Sequence, residues 1–411
     1  MTTRLLPAPG PVRTLAVGTF VNTAGNGIFM TVSALYFTRI VGLSFLEVGL
    51  GLSIAGVFGL LGGIPLGHLA DRRGPREVML WLLAVLAVVG GLLVFVQTWW
   101  QFVVVTSASA LLDRGAGAVR GAMIAGAVAG AERVRTRAYL RAVTNIGITV
   151  GTGIAALALH FDTKQAYVTV MLLNVASTAA TALVLRRMPH VPPAPVVGTR
   201  VTLALRDKPY VAFTIVTAVL AMHYTIIDVG LPLWVVNFTD APTWVVAALF
   251  TVNTVGVVLF QVAVSTRVAD VRAAVRATTL SGVVLMAGCV LFAVATDRSA
   301  GWAVVCLVAA SVVHLVGELL QASASFLLSF DLAPDHAQGQ YQGLFSTGFG
   351  LSRMIAPTVV ALLPLTLGAI GWVALGGILL AAALVTVPVV RWAEATRPTY
   401  ARSVPADPAV V

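Results

Sequence analysis

Long apolar segments alternate with short polar ones along almost the whole chain. Each apolar segment is close to or longer than the roughly 20 residues that an α-helix needs to cross a bilayer. Barrel strands would instead be about 10 residues long and alternate in polarity. The pattern predicts twelve transmembrane helices, with approximate cores at 14–37, 45–69, 77–97, 100–125, 138–160, 165–187, 209–236, 243–266, 274–296, 300–328, 338–364 and 368–392.

The composition indicates that lipid is the solvent of this chain. Of its 411 residues, 58% are hydrophobic and 10% are charged, whereas a soluble domain carries about 25% charged residues. A water-soluble fold of this length could not bury so much apolar surface. We therefore predict an all-α membrane protein whose surroundings are the lipid bilayer.

The net charge of +10 is explained by topology. Most lysines and arginines fall in the termini and in alternate connecting segments, which the positive-inside rule places in the cytoplasm. This distribution predicts a multi-pass protein of the inner (plasma) membrane with both termini cytoplasmic, and it argues against a nucleic-acid partner. The exceptions on the opposite side are Arg39, Lys164 and Arg298, and those within spans are Arg114, Arg120 and Arg353.

The longest connection, residues 188–208, contains four prolines in "MPHVPPAPVVGTRVTLALRDK". It divides the chain into a six-helix half at 1–187, a cytoplasmic linker at 188–208, and a second six-helix half with a cytoplasmic tail at 209–411. A single twelve-helix bundle with one long loop is the alternative. A weak echo favours two related halves, as in repeat-built transporters: "GHLADRRGPR" follows the second span and "STRVADVRAAVR" the eighth.

The loop "GHLADRRGPR" closely resembles the signature loop of the major facilitator superfamily, with Pro75 in place of one basic residue. With the twelve spans, the chain is identified as a member, and it is most like the twelve-helix drug:proton antiporters. Their fifth helix usually carries a proline where this chain has Thr152. The resemblance implies the major facilitator fold, with two halves rocking about a central cavity.

The resemblance also implies a cytoplasmic latch, in which Asp71 contacts the start of the eleventh helix around Gly339–Gly343. Physical chemistry is consistent with this role, because Gly67 permits close helix approach and Gly74 suits a sharp turn. A simple positive-inside anchor is the alternative. The predicted latch residues are Gly67, Asp71, Arg72, Gly74 and Arg76.

Ionisable side chains inside spans cost about 2.5–3.5 kcal/mol on insertion scales, so they are the best functional candidates. Glu318 in the tenth span has His314 four residues earlier on the same helix face, and Gln321 extends this polar stripe. Burial disfavours a charged carboxylate and a nearby cation favours it, so such a group can load and release a proton. We predict proton coupling at Glu318 and His314; a structural ion pair is the alternative.

A partner for Glu318 is suggested by depth. Arg353 in the eleventh span and Glu318 lie at similar distances from the connecting loop, and at about 1.5 Å per residue they are level. We predict that their charged groups lie within about 4 Å or are joined by one water or by His314. Asp113 in the fourth span is a second coupling candidate. If Glu318 and Arg353 instead point to opposite sides of their helices, or stand more than about 10 Å apart with apolar packing between them, Asp113 with Arg114 is the better candidate.

Further polar positions complete the predicted site. Asp228 in the seventh span is a coupling candidate or a solvated vestibule carboxylate. Asn22 and Asn26 share one face of the first span and contact substrate or a neighbouring helix. The predicted substrate cavity comprises Asn22, Asn26, Arg114, Gln321 and Arg353.

The sequence lacks a phosphate-binding loop and the motifs of hydrolases and zinc proteases. Its two cysteines and six histidines give no metal-ligand spacing. We predict no enzyme, metal or cofactor, but a monomeric transporter driven by the proton-motive force. The predicted function is proton-coupled efflux of a small amphipathic organic compound. A proton-coupled nutrient symporter and a non-transporting membrane sensor are the alternatives.

Overall fold

The computed structural model describes residues 7–128, 130–161, 163–190, 192–193, 202–242, 244–296 and 298–401. These residues are almost entirely helical and include no strand. Eleven helices among them are long and apolar enough to cross a membrane. The all-α membrane fold predicted from the pattern is thereby confirmed.

Each predicted span except the seventh coincides with one long helix, and the seventh begins with a shorter one. The first six are α1 (Pro11–Leu35), α2 (Phe45–Arg73), α3 (Pro75–Leu92), α4 (Trp99–Ala127), α5 (Ala131–Phe161) and α6 (Lys164–Leu185). The others are α7 (Lys208–Leu220), α8 (Trp244–Ser265), α9 (Val271–Val294), α10 (Ala300–Asp331), α11 (Gln338–Leu362) and α12 (Pro364–Ala401). The eleven apolar helices do not include α5, which is 31 residues long.

Two of the spans contain π-helical turns among the residues that the structure describes. A π-helical turn, Tyr36–Ile40, extends α1. The seventh span, Lys208–Phe238, continues beyond α7 through a short helix at His223–Thr225, a π-helical turn at Ile226–Gly230 and a last helix at Leu231–Phe238. π-turns within helices occur frequently at functional sites, and Asp228 lies in this one.

The predicted sharp turn between the second and third spans is present. Helix α2 ends at Arg73 and α3 begins at Pro75. Gly74 between them has a φ of 89°, which side chains other than glycine rarely adopt. Proline suits the first position of α3 because that position needs no backbone donor.

Two compact units make up the described chain. The first contains α1–α6 together with Asp335–Thr347, which includes the first turns of α11, and the second contains α7–α10, α11 from Gly348 onward and α12. The division into halves at 1–187 and 209–411 stays a prediction, as does the linker between them. Part of that linker, residues 194–201, lies outside the described residues.

Within the first unit, small residues bring α1 and α5 close together. A Cβ atom at Gly151 would collide with the backbone oxygen of Ala24, and one at Gly147 would collide with Thr23. Close packing of this kind replaces the hydrophobic effect as the main attraction between helices in lipid. The two glycines therefore allow α5 to pack closely against α1.

In the second unit, aromatic side chains pack around the end of the seventh span. Trp234 is fully buried and donates from Nε1 to the backbone oxygen of Phe292 at 3.1 Å. Its ring lies 5.5 Å from that of Trp372, and the rings of Phe292 and Trp372 are 5.1 Å apart. A paired indole N–H is what lets tryptophan be buried without a large penalty. These contacts join the seventh span to α9 and α12.

Candidate functional site

The signature loop of the first unit is held by two backbone hydrogen bonds. Gly339 N donates to Asp71 Oδ1 at 2.7 Å, and Gln340 N donates to Asp71 Oδ2 at 3.0 Å. Both donors belong to the first turn of α11, where backbone N–H groups have no partner within the helix and the helix dipole attracts a negative charge. The contact implied by the family resemblance is present, while its role as a latch stays a prediction.

Glycines allow this carboxylate to reach α11. A Cβ atom at Gly67 would collide with the backbone oxygen of Gly339. One at Gly63 would lie 2.7 Å from the backbone oxygen of Gly343, which is closer than real Cβ contacts. His68 adds a side-chain contact, with Nδ1 at 2.8 Å from Gln340 Nε2.

The two arginines of the predicted latch lie elsewhere. Arg72 is exposed. Arg76 donates to the backbone oxygen of Arg186 at 2.5 Å and lies 3.5 Å from Glu77, so it contacts the residue that follows α6. Gly74 forms the turn already described. Of the five predicted latch residues, Gly67 and Asp71 are therefore the ones seen in contact with α11.

A cavity of about 370 Å³ lies inside the first unit, between α1, α2, α3, α4 and α6. Its aromatic lining comes from Phe29, Phe37 and Phe102, and its polar lining comes from Asn26, Ser33, Thr106, Ser109, Asp113, Asn174 and Thr178. Pockets that bind small molecules combine a mainly apolar wall with a few placed polar groups. The cavity has this composition and lies toward the lower end of the volume range of such pockets.

Two of the predicted site residues, Asn26 and Asp113, line this cavity. Among the described residues of the lining, Asp113 carries the one charged side chain, and that side chain is accessible. Asn22 is buried one turn away from Asn26, and its Oδ1 atom has no hydrogen-bond partner among the described atoms. Asn22 does not line the cavity, so a direct substrate contact there stays a prediction.

Sequence reasoning missed five polar residues of the lining, which are Ser33, Thr106, Ser109, Asn174 and Thr178. Ser109 Oγ and Asn174 Oδ1 are buried atoms that have no hydrogen-bond partner among the described residues. A buried polar atom without a partner costs about 1–3 kcal/mol. The signal was available, because all five are polar side chains within apolar spans.

Asp113 and Arg114 diverge, as expected of neighbours on a helix. Asp113 lines the cavity, while the stem of Arg114 packs near α2, with Cγ 3.4 Å from the position of a Cβ at Gly59. Arg120, two turns further along α4, is close enough to interact electrostatically with Asp113. The predicted assignment of Arg114 to the substrate cavity is not reproduced in the lining of this cavity.

The direct ion pair expected between Glu318 and Arg353 is not seen among the described residues, whereas a link through His314 or a water stays a prediction. Glu318 is 3% exposed and accepts a hydrogen bond from Asn253 Nδ2 at 2.7 Å. Arg353 is exposed, and among the described residues no ion pair within 4.0 Å joins it to Glu318. Arg353 interacts electrostatically with Asp228 instead. Chain length predicts similar depths for the two residues, but depth does not fix the direction in which each side chain points.

Glu318 belongs to a buried polar cluster in the second unit. The Glu318 cluster comprises His223, Asn253, His314, Glu318 and Gln321. His314 Nδ1 lies 3.9 Å from Glu318 Oε2, and His314 Nε2 lies 3.2 Å from the backbone oxygen of His223. His223 Nε2 is 3.5 Å from Gln321 Oε1. The predicted polar stripe of α10 therefore meets the seventh span and α8.

The cluster brings together three potential metal ligands that the sequence spacing did not reveal. One ligand atom from each of His223, His314 and Glu318 lies within 4.8 Å of the other two. His223 is distant in sequence, and only the packing of the seventh span against α10 places it here. Gln321, predicted to line the substrate cavity, is fully buried in this cluster.

Comparisons with known proteins agree with the fold. The sequence model of the Major Facilitator Superfamily matches residues 15–357. The structure resembles a bacterial homologue of the iron transporter ferroportin, in the outward-facing state with soaked iron, with a TM-score of 0.70, 16% identity and coverage of 93% of this chain and 98% of the other.

Two further solved structures are similar. The proton:xylose symporter XylE has a TM-score of 0.69 and 11% identity, with coverage of 91% of this chain and 94% of the other. The human organic anion transporter MFSD10 (TETRAN) has a TM-score of 0.61 and 15% identity, with coverage of 92% and 98%. No curated protein sequence gives a match. The chain therefore belongs to the Major Facilitator Superfamily and is a multi-pass membrane transporter rather than an enzyme.

Proposed function

We propose that this transporter exports a small amphipathic organic cation in exchange for protons, by alternating access. The observation that carries the proposal is the cavity of the first unit, with its aromatic walls and its single carboxylate at Asp113. Aromatic rings attract cations through their faces, and a carboxylate attracts them by charge. The wall is apolar enough to accept the hydrophobic part of such a compound.

Asp113 is the proposed site of coupling. A carboxylate can hold either a proton or a cationic substrate, and each weakens the binding of the other because both neutralise the same charge. If Asp113 holds either a proton or the substrate, but never both, outward movement of substrate is linked to inward movement of protons. Because no direct ion pair joins Glu318 to Arg353 among the described residues, we propose Asp113 in place of Glu318 as the main candidate, with His314 and Asp228 as secondary ones.

The similar solved structures do not identify the substrate of this chain. The proteins named above are transporters of iron, xylose and organic anions, and at 11–16% identity they share the fold alone with this chain. The charge of the cavity lining is more informative about the substrate. An anion would be repelled by Asp113, and among the described lining residues no lysine or arginine would compensate it.

Several finer assignments belong to this proposal. They are membership of the drug:proton antiporter group, residence in the inner membrane with cytoplasmic termini, action as a monomer, and the proton-motive force as the energy source without a cofactor. The arginine-rich connecting segments support the orientation. The Asp71 contact supports the proposed latch, which would close one side of the transporter while the other is open.

Flux in proteoliposomes tests the proposal. Purified protein is reconstituted with a fluorescent lipophilic cation, and a pH gradient is imposed across the membrane. Antiport predicts that the cation moves against the direction of proton flow in the wild type and that Asp113→Asn abolishes this movement. Asp240→Asn, which changes an exposed acid outside the spans, is the matched control. Movement of the cation together with protons would indicate the symporter, and binding without flux would indicate the sensor.

A further inference from the structure

We infer that His223, His314 and Glu318 form a binding site for a divalent transition-metal ion within the second unit. One potential ligand atom from each residue lies within 4.8 Å of the other two. Metal–ligand bonds of about 2.0–2.2 Å place the ligands of one ion roughly 3.4 Å apart. Small side-chain rotations are sufficient to close the remaining difference. The inference concerns binding and does not depend on the proposed function of the first unit.

Helix α10 supplies two of the ligands from one face. His314 and Glu318 are four residues apart, which puts their side chains one above the other. The same spacing separates the two zinc-binding histidines of H-E-x-x-H helices. His314 Nδ1 lies 3.9 Å from Glu318 Oε2, and this nitrogen has no hydrogen-bond partner among the described atoms. A cation between the two atoms would supply a partner for this nitrogen.

A hydrogen bond on the far side of the ring fixes the orientation of His314. His314 Nε2 faces the backbone oxygen of His223 at 3.2 Å, and a carbonyl only accepts hydrogen bonds. Nε2 therefore carries the proton, which leaves the lone pair on Nδ1, the atom that faces Glu318. Metal-binding histidines almost always donate their second N–H in this way, because the contact sets the tautomer and the ring direction.

The other two ligands are also supported by neighbouring polar groups. Asn253 Nδ2 donates to Glu318 Oε2 at 2.7 Å, which holds the carboxylate in place. Gln321 Nε2 donates to Ser325 at 2.8 Å, so its Oε1 atom is the one turned toward His223 Nε2, 3.5 Å away. A set of supporting contacts around every ligand is typical of built metal sites.

The ligand set selects the class of metal. Two imidazoles and one carboxylate suit Zn²⁺, Co²⁺ or Fe²⁺, whereas Mg²⁺ and Ca²⁺ require mainly oxygen ligands. All three residues are buried, so the ion would be well shielded from water. Asp228 interacts electrostatically with Glu318 and adds a second negative charge nearby. An ion here would also join the seventh span to α10, so its binding should stabilise the folded state.

Metal titration of the purified protein, with any affinity tag removed, tests the inference. Zn²⁺ bound after dialysis is measured by elemental analysis, and Co²⁺ is followed by its visible absorption. The wild type is expected to bind about one ion per chain, with a rise in melting temperature that Mg²⁺ does not produce. His314→Gln and Glu318→Gln should each weaken binding about tenfold or more. His190→Gln, a change at an exposed histidine, is the matched control.

Each result decides the question. Loss of binding in His314→Gln with retention in His190→Gln supports the site. Equal metal binding by His314→Gln, Glu318→Gln and His190→Gln would overturn the inference, as would the lack of Co²⁺ absorption in the wild type. The cluster would then be a buried hydrogen-bond network. If a ligand variant does not fold, X-ray absorption of the Co²⁺-loaded wild type replaces it. Two imidazoles bound to the ion support the site, and a shell of oxygen ligands alone contradicts it.

Discussion

The carboxylate of Asp71 accepts the backbone N–H of Gly339 at 2.7 Å, and its second oxygen accepts that of Gln340 at 3.0 Å. The two residues are far apart in sequence, and the contact ties the end of α2 to the beginning of α11. Hydrogen bonds to a charged group contribute about 1.5–3 kcal/mol each. The two hydrogen bonds are thus strong enough to stabilise any conformational state of the transporter that contains them.

Replacement of Asp71 by asparagine should impair transport while the protein stays folded. The amide of asparagine can accept one of the two N–H groups, but its NH₂ group would face the other donor. We expect a loss of transport rate of about tenfold or more, equivalent to about 1.4 kcal/mol, measured as cation flux in proteoliposomes. Asp240→Asn serves as the control, and a wild-type rate in Asp71→Asn would reduce the loop to a topological anchor.

Replacement of Gly67 by alanine should disturb the same contact through packing. The added Cβ would meet the backbone oxygen of Gly339, and such overpacking costs about 1–3 kcal/mol. A lower melting temperature in a thiol-reactive dye assay is the expected result. Gly49→Ala in the same helix is the control, because nothing lies within 4 Å of a Cβ there. Equal melting temperatures in the two variants would contradict the close approach of α2 and α11.

A double-mutant cycle should separate the real partner of Glu318 from the expected one. Residues in contact usually show interaction energies of about 0.5–3 kcal/mol, whereas distant ones are additive. The cycle between Glu318→Gln and Asn253→Ala should therefore give a measurable coupling in thermal stability. The cycle between Glu318→Gln and Arg353→Gln should be additive. Coupling in the second cycle and additivity in the first would show that Glu318 interacts with Arg353 rather than with Asn253.

Much of the fold could be predicted from the sequence because its signals are local. The length of each apolar segment predicts a helix, and a glycine followed by proline predicts the turn at Gly74. The family motif was sufficient to place Asp71 against Gly339, since the motif itself encodes a contact distant in sequence. No such motif exists for the interior of either unit.

The parts that were missed depend on the rotation and register of packed helices. Chain length predicts similar depths for Glu318 and Arg353 but contains no information on the directions of their side chains. His223 joins the Glu318 cluster only because the seventh span packs against α10. Ser109 and Asn174 share one cavity only because α4 and α6 both face it. Periodicity within one helix contains no information on its neighbour.

The most direct test of the central claim is the pH dependence of cation binding in detergent, measured with a fluorescent lipophilic cation. Protonation of Asp113 removes the negative charge that attracts the cation, so lowering the pH should weaken binding to the wild type. In Asp113→Asn the affinity should be lower and independent of pH. A variant that keeps the wild-type affinity and the wild-type pH dependence would contradict exchange of proton and cation at Asp113.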